Sequence, residues 1–151
     1  MLSDPLQPDR PPAPAPDSAS RNHGPPGEAR ILALASDLLS GSRISGAAAA
    51  LGIPVRVLRP PFDAGIDHAI EIAVHPGLRA ALIDMTLPDD QPLAAIRRLR
   101  ALHPALHILA WCPHVLTDRI DAARAAGATQ VLARSAFSKR LPELLVDLAG
   151  A

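Results

Sequence analysis

Aromatic residues are scarce in this chain of 151 residues, and their scarcity restricts its possible functions. The sequence has one Trp, two Phe and no Tyr. Proteins that bind single-stranded nucleic acid stack its bases on several aromatic side chains, so this class is disfavoured. Fifteen basic residues balance fifteen acidic ones, and no net charge attracts the chain to nucleic acid or an anionic membrane. We therefore expect no nucleic-acid partner and no membrane association.

Cysteine and long apolar segments are also scarce. Cys112 is the only cysteine, so no disulfide can form within the chain. The first residues lack the apolar core of a signal peptide, and no apolar run is long enough to span a bilayer. Apolar residues make up 48% of the sequence, enough to bury the core of one domain. A cytoplasmic location is the expectation.

Proline is concentrated near the N-terminus. Residues 1–28 combine many prolines with Asp, Ser, Arg and Gly, a composition that buries little apolar surface. We predict a disordered tail over residues 1–28 and one folded domain over residues 29–151. The short run Pro11-Pro12-Ala13-Pro14 leaves open that the tail is a polyproline ligand for a partner.

Apolar strands and helical patterns alternate after the tail. Strands are predicted at residues 31–35, 55–58, 80–85, 107–111 and 130–133. Helices are predicted at residues 37–51, 67–75, 92–102 and 117–126, with a last one that carries Phe137 to Leu148. Five strand-helix pairs predict an α/β fold, a doubly wound five-stranded parallel sheet of order 2-1-3-4-5 with helices on both faces.

Apolar spacing also predicts which helix faces are buried. The core residues predicted in the first helix are Leu38, Ile44, Ala48 and Leu51. Those predicted in the third helix are Leu93, Ile96, Leu99 and Leu102. Those predicted in the last helix are Phe137, Leu141, Leu144, Leu145 and Leu148.

Residues from about 30 to 149 resemble the receiver domain of bacterial response regulators. Residues 80–88 hold an apolar strand that ends in Asp84 and continues into a turn, as in the phospho-acceptor strand of receivers. Residues 118–128 resemble the fourth receiver helix with its Ala-Gly-Ala ending, and residues 131–137 resemble the last strand and its loop. The resemblance implies a flavodoxin-like fold, a role in signal transduction without enzymatic activity, and Asp84 at the phospho-acceptor position.

The positions around Asp84 depart from the receiver pattern. The resemblance places Ala35 and Ser36 where receivers carry the acidic pair that helps to hold magnesium. It places Cys112 at the position of a hydroxyl residue that contacts the phosphoryl group. Arg134 takes the place of a lysine, and Ser135 that of a proline usually joined by a cis bond. Two further residues complete the degenerate site, and these neighbours are Asp37 and Thr86.

These departures predict a pseudo-receiver that acts through protein contacts. Magnesium takes charge from carboxylates, so its binding should be weak or absent, and we expect no metal site and no cofactor. Asp84 is then expected to form a structural ion pair with Arg134, and Asp37 to cap the first helix. One alternative is a working phospho-receiver modified on Asp84.

A second alternative is a small cofactor-binding or enzyme domain on the same fold. Its candidate residues are Ser36, Asp84, Cys112 and His114. Flavin binding is disfavoured, because aromatic side chains that stack on a flavin are nearly absent.

The last two helices carry charges of both signs. The candidate interface residues are Asp118, Arg119, Asp121, Arg124, Lys139, Arg140, Glu143 and Asp147. In receivers the matching face is the usual dimer and output surface. The resemblance therefore implies a protein partner or a homodimer through the last two helices and the last strand, and a solvated face is the alternative.

Overall fold

The computed structural model describes residues 29–113 and 117–150. Five parallel strands form one sheet with the order β2-β1-β3-β4-β5, which confirms the predicted topology. The strands are β1 (Ile31–Leu34), β2 (Val55–Leu58), β3 (Ala80–Asp84), β4 (His107–Cys112) and β5 (Gln130–Ala133). The helices are α1 (Leu38–Leu51), α2 (Ile66–Ala73), α3 (Gln91–Leu102), α4 (Thr117–Ala126), α5 (Arg134–Lys139) and α6 (Leu141–Ala149). The predicted tail, residues 1–28, lies outside the described residues.

Both faces of the sheet are covered, so the fold has two apolar layers. Helices α2, α3 and α4 pack together on one face, where Ile70, Ile96 and Ala123 are buried. Helices α1 and α6 pack on the other face, where Ile44 and Leu145 are buried. All residues of β1 and β3 are buried, as expected for inner strands of a parallel sheet with helices on both sides. None of the described helices has the length and apolarity needed to cross a bilayer.

Three leucines predicted to face the core are exposed. Leu38, Leu51 and Leu102 expose 60%, 42% and 40% of their surface. Helix α1 instead turns Gly41 towards β2, where a Cβ would lie 3.2 Å from a methyl carbon of Val57. This close approach fixes the rotation of α1 about its axis. Leu38 and Leu51, at the two ends of the helix, therefore face solvent. Leu102 ends α3 beyond the edge of the core.

The last apolar stripe is confirmed, but it belongs to two helices. Phe137 lies in α5, and the four leucines of the stripe lie in α6. All five side chains are buried. Pro142, in the first turn of α6, has no N–H to donate to the preceding turn. The helical path is therefore interrupted at Arg140, which ends α5 and begins α6.

The amino ends of the strands are joined by the side chain of Arg100, which leaves α3. Its guanidinium donates to the carbonyl oxygens of Pro104, Leu106 and Gly127, at distances from 2.6 to 3.1 Å. It also reaches the hydroxyl of Thr129 at 3.1 Å, and that hydroxyl accepts the N–H of Ile108. The guanidinium therefore ties α3 to the loops that lead into β4 and β5.

Candidate functional site

Asp84 ends β3 at the carboxyl edge of the sheet. Its strand lies between β1 and β4, and Asp84 pairs in register with Trp111. Asp84 is 0% exposed, and among the described residues it is the one buried charged side chain. A buried carboxylate needs compensation by hydrogen bonds or an opposite charge, so its partners determine what it can do.

Hydroxyl and amide groups occupy both oxygens of this carboxylate. Oδ2 accepts the N–H of Ser36 at 3.0 Å and its hydroxyl at 2.6 Å. Oδ1 accepts the N–H of Thr86 at 3.0 Å and its hydroxyl at 2.6 Å. The two hydroxyl oxygens are 3.1 Å apart. Distances of 2.6 Å are typical of charge-assisted bonds between a hydroxyl and a carboxylate. We call Asp84 with Ser36 and Thr86 the capped carboxylate.

The residues of this site do not fit a magnesium ion. Ala35 is fully buried and supplies a methyl group where a cation would need an oxygen. Ser36 uses its hydroxyl as a donor to Asp84, and Thr86 does the same. Within residues 29–113 and 117–150, no three His, Cys, Asp or Glu side chains come together as a metal-binding group. Magnesium prefers a site with several carboxylate and other oxygen ligands, which this donor set does not offer.

The predicted ion pair between Asp84 and Arg134 is wrong. The ion pairs of the described residues join Arg97 to Asp90 and Arg98 to Glu71. Arg134 is exposed at the start of α5. The backbone N–H groups of Ser36 and Thr86 donate hydrogen bonds to the carboxylate of Asp84. The carboxylate is therefore compensated without the cost of desolvating a guanidinium.

Asp37 caps α1, as predicted. Its Oδ1 accepts the N–H of Ser40 at 2.7 Å. This hydrogen bond, with a smaller contribution from the charge of Arg134, lowers the pKa of Asp37. Asp37 is exposed and committed to the helix end, so it adds no ligand to the capped carboxylate.

Cys112 is a buried free thiol at the end of β4. Burial raises the pKa of the Cys112 thiol, and the opposing charges of Arg119 and Arg134 do not offset that rise. A thiol of this kind is a poor nucleophile at neutral pH. His114, its proposed partner in a Cys-His site, lies outside the described residues.

Ser135 lies in the first turn of α5, where β5 passes directly into the helix. The cis peptide bond among the described residues joins Pro60 to Pro61, in the loop after β2. The resemblance placed Ser135 at a proline with a cis bond, and the structure has no cis bond at that position.

Arg119 of α4 and Trp111, which stacks on Phe137 of α5, connect these helices to the residue after Asp84. Arg119 of α4 donates to the carbonyl oxygen of Met85, which follows Asp84. The N–H of Met85 donates to the carbonyl of Trp111 at 2.9 Å, and the indole stacks on Phe137 with ring centroids 4.2 Å apart. No sequence pattern indicates the Arg119 contact, because its partner is a backbone carbonyl.

The candidate interface residues are mostly at the surface. Arg119 is half-buried. The exposed ones are Asp118, Asp121, Arg124, Lys139, Arg140, Glu143 and Asp147. No ion pair joins any two of them within the described part of the chain.

Solved structures of receiver domains share this fold. A CheY-like receiver domain protein from Methanospirillum hungatei JF-1 matches with a TM-score of 0.65 and 16% identity, over 81% of this chain and 94% of that one. The receiver domain of a sensor histidine kinase from Pseudomonas aeruginosa PAO1 matches with a TM-score of 0.59 and 23% identity, over 82% and 99%.

A protein from Burkholderia thailandensis E264, described as a pilus assembly protein, matches with a TM-score of 0.59 and 22% identity, over 82% and 99%. No protein-family model matches the sequence, and no curated protein matches it. At these identities the likeness establishes the fold, which is the CheY-like receiver fold predicted from the sequence.

Proposed function

We propose that this chain is an atypical receiver domain that acts in signal transduction through protein contacts and is not phosphorylated by the magnesium-dependent route. The capped carboxylate carries the proposal. Both oxygens of Asp84 are engaged by Ser36 and Thr86, at the place where receivers hold a metal ion.

The chemistry of phosphoryl transfer explains why this arrangement is unfavourable for it. The reaction needs a carboxylate oxygen free to attack and a cation that neutralises the phosphoryl oxygens. In this chain each oxygen of Asp84 would have to release a hydroxyl at 2.6 Å before it could attack. Ala35, next to Ser36, supplies no carboxylate to hold a cation. The negative charge of a phosphoryl group would therefore not be neutralised by a metal ion. The carboxylate therefore acts in the fold as a structural acceptor.

A partner surface is proposed on α4, β5, α5 and α6, either for another protein or for a second copy of the chain. The exposed charges there are of both signs, and such a face can pair with itself across a two-fold axis. Arg119 connects α4 to the loop that follows Asp84, so the proposed surface and the capped carboxylate are structurally joined. The proposal also includes that the chain has no catalytic activity and is located in the cytoplasm.

A second candidate is a working phospho-receiver with Asp84 as acceptor. One observation favours it, because Asp84 keeps the acceptor's place at the end of β3 in a receiver fold. The receiver domain from Pseudomonas aeruginosa PAO1 is described with a magnesium ion coordinated in its active-site cleft. The two candidates differ in whether magnesium and a phosphoryl analogue bind at Asp84.

The test is a magnesium titration of the full chain, with and without beryllofluoride, followed by the amide NMR signals of Ser36 and Thr86. We expect no saturable shift up to about 10 mM magnesium, because the site offers one carboxylate. The control is the double variant A35D/S36D, which supplies an acidic pair and should gain saturable magnesium binding and magnesium-dependent thermal stability. Saturable binding by the unaltered chain that disappears in Asp84→Asn would overturn the proposal.

A further inference from the structure

A cleft of about 200 Å³ opens at the edge of the sheet formed by β2. Leu58 of β2, Phe62 of the following loop and Ile72 of α2 supply much of its apolar wall. Arg56, Asp63 and His68 are the charged or titratable side chains that line it. Ile72 is 53% exposed, so the apolar wall continues onto the protein surface.

Arg56 lacks a partner in this cleft. Its Nε is shielded from solvent and has no hydrogen-bond acceptor among the residues that the structure describes. The ion pairs of the same residues involve Arg97 and Arg98, and Arg56 takes part in neither. A shielded guanidinium N–H without an acceptor is unfavourable, and a carboxylate matches the planar fork of the guanidinium. The guanidinium of Arg56 is therefore complementary to an acidic group.

The size of the cleft indicates what else its occupant carries. Pockets for drug-sized ligands and cofactors have volumes of about 300–1,000 Å³, so a cleft of about 200 Å³ is too small for them. One large apolar side chain fits this space. Small apolar pockets that receive a single anchor residue are typical of the central part of protein interfaces.

We propose that this cleft binds an extended segment of a partner protein, which inserts one Leu- or Phe-sized side chain and places an adjacent carboxylate on Arg56. We call it the β2–α2 cleft. Asp63 repels acidic groups, and this repulsion favours the orientation in which the partner's carboxylate lies at Arg56. The cleft lies at the β2 edge of the sheet, and the partner surface proposed on α4, β5, α5 and α6 lies at the opposite edge. The two proposed contact surfaces are therefore separate. This site does not depend on the function proposed for Asp84.

The test uses blocked synthetic tripeptides Glu-Leu-Glu and Glu-Phe-Glu, titrated into the full chain and followed by amide NMR. We expect saturable shifts at Gly65, Ala69 and Ile72, with millimolar dissociation constants. The peptides Lys-Leu-Lys and Glu-Ala-Glu test the acidic group and the anchor separately, and each should bind at least about fivefold more weakly.

Variants with matched controls locate the binding. Arg56→Gln should weaken Glu-Leu-Glu binding about fivefold, and Arg56→Lys should weaken it less, because the charge remains without the planar fork. Arg59→Gln removes an exposed charge that follows β2 and lies against α1, and it should change binding less than twofold. Ile72→Ala should weaken binding, whereas Val146→Ala, which alters an equally exposed residue on α6, should not.

Three results would overturn the proposal. They are the absence of saturable shifts with any acidic peptide, shifts that map to α4 and α6, and equal effects of Arg56→Gln and Arg59→Gln. Backbone NMR spectra of each variant establish that it is folded. Charge reversal at Asp121 and Arg124 should leave peptide binding unchanged, and this separates the β2–α2 cleft from the face proposed for signalling.

Discussion

The two ends of the parallel sheet each contain a charged side chain with many hydrogen bonds, but the partners differ. At the carboxyl end, Asp84 accepts four hydrogen bonds from Ser36 and Thr86. At the amino end, Arg100 makes five, four of them to backbone carbonyls. Two of the four bonds to Asp84 come from hydroxyls that a substitution can remove, whereas four of the five bonds of Arg100 go to carbonyls that every residue provides. The surroundings of Asp84 are thus more open to change by substitution than those of Arg100.

This comparison predicts the largest loss of stability at Arg100. Arg100→Ala should lower the free energy of unfolding by about 3 kcal/mol, because several hydrogen bonds to a charged group are lost and carbonyls in loops are left without donors. Arg100→Lys should lose about 2 kcal/mol, since one ammonium cannot reach all the acceptors. Urea denaturation measures both values.

The control is Arg97→Ala on the same helix, whose ion pair with Asp90 is exposed and should contribute less than about 0.5 kcal/mol. Equal effects of Arg97→Ala and Arg100→Ala would show that Arg100 does not hold the amino end together.

The next largest effect is expected at Asp84. Asp84→Ala should lower the free energy of unfolding by about 2 kcal/mol, because two hydroxyls and two N–H groups lose their acceptor. A double-mutant cycle between Asp84→Ala and Ser36→Ala should give a coupling of about 1 kcal/mol. The cycle between Asp84→Ala and Arg134→Ala should give a coupling near zero.

Denaturant unfolding of the single and double variants in the absence of ligand measures both couplings. A stabilising effect of Asp84→Ala would instead indicate that the carboxylate is strained in the resting fold, as for a residue kept for its chemistry. A strong coupling between Asp84 and Arg134 would support the ion pair between them and would contradict hydrogen bonding by Ser36 and Thr86 as the main compensation of the carboxylate.

The smallest effect is expected at the helix cap beside the site. The pKa of Asp37 is lowered in the folded state, first by the Ser40 hydrogen bond, so its contribution to stability exists above its ordinary pKa of about 3.9 and is lost as the pH falls through the folded value. Asp37→Ala should cost about 0.5–1 kcal/mol at pH 7, because Asp37 is an exposed cap.

Thermal unfolding of both proteins at pH 7 and near pH 3 measures this difference. We expect the difference to shrink at the lower pH. A loss that is equal at both pH values would mean that the carboxylate charge does not contribute to the cap.

The topology and the position of Asp84 were predictable from the sequence because they depend on regular patterns. Short apolar runs between helical segments determined the sheet order, and strand ends in parallel sheets meet at one edge. Ala35 and Ser36 also led to the prediction of weak or absent magnesium binding, which stays a prediction.

The contacts of individual side chains were not predictable in the same way. Arg134 was assigned to Asp84 because the resemblance places it at the lysine position of the site, but the hydroxyls of Ser36 and Thr86 bind the carboxylate instead. Arg119 was predicted only as an interface charge, and the contacts of Arg100 were not predicted at all, because carbonyl partners leave no mark in the sequence.

The burial of Ala35 determines what a new charge at this position would cost. Ala35 is 0% exposed and directly precedes the serine that holds Asp84. A single mutation to aspartate there would place a second negative charge near Asp84 before any metal could be held, at a cost in stability. We therefore expect a lone carboxylate at position 35 to destabilise the domain until a bound cation or a further substitution offsets the repulsion.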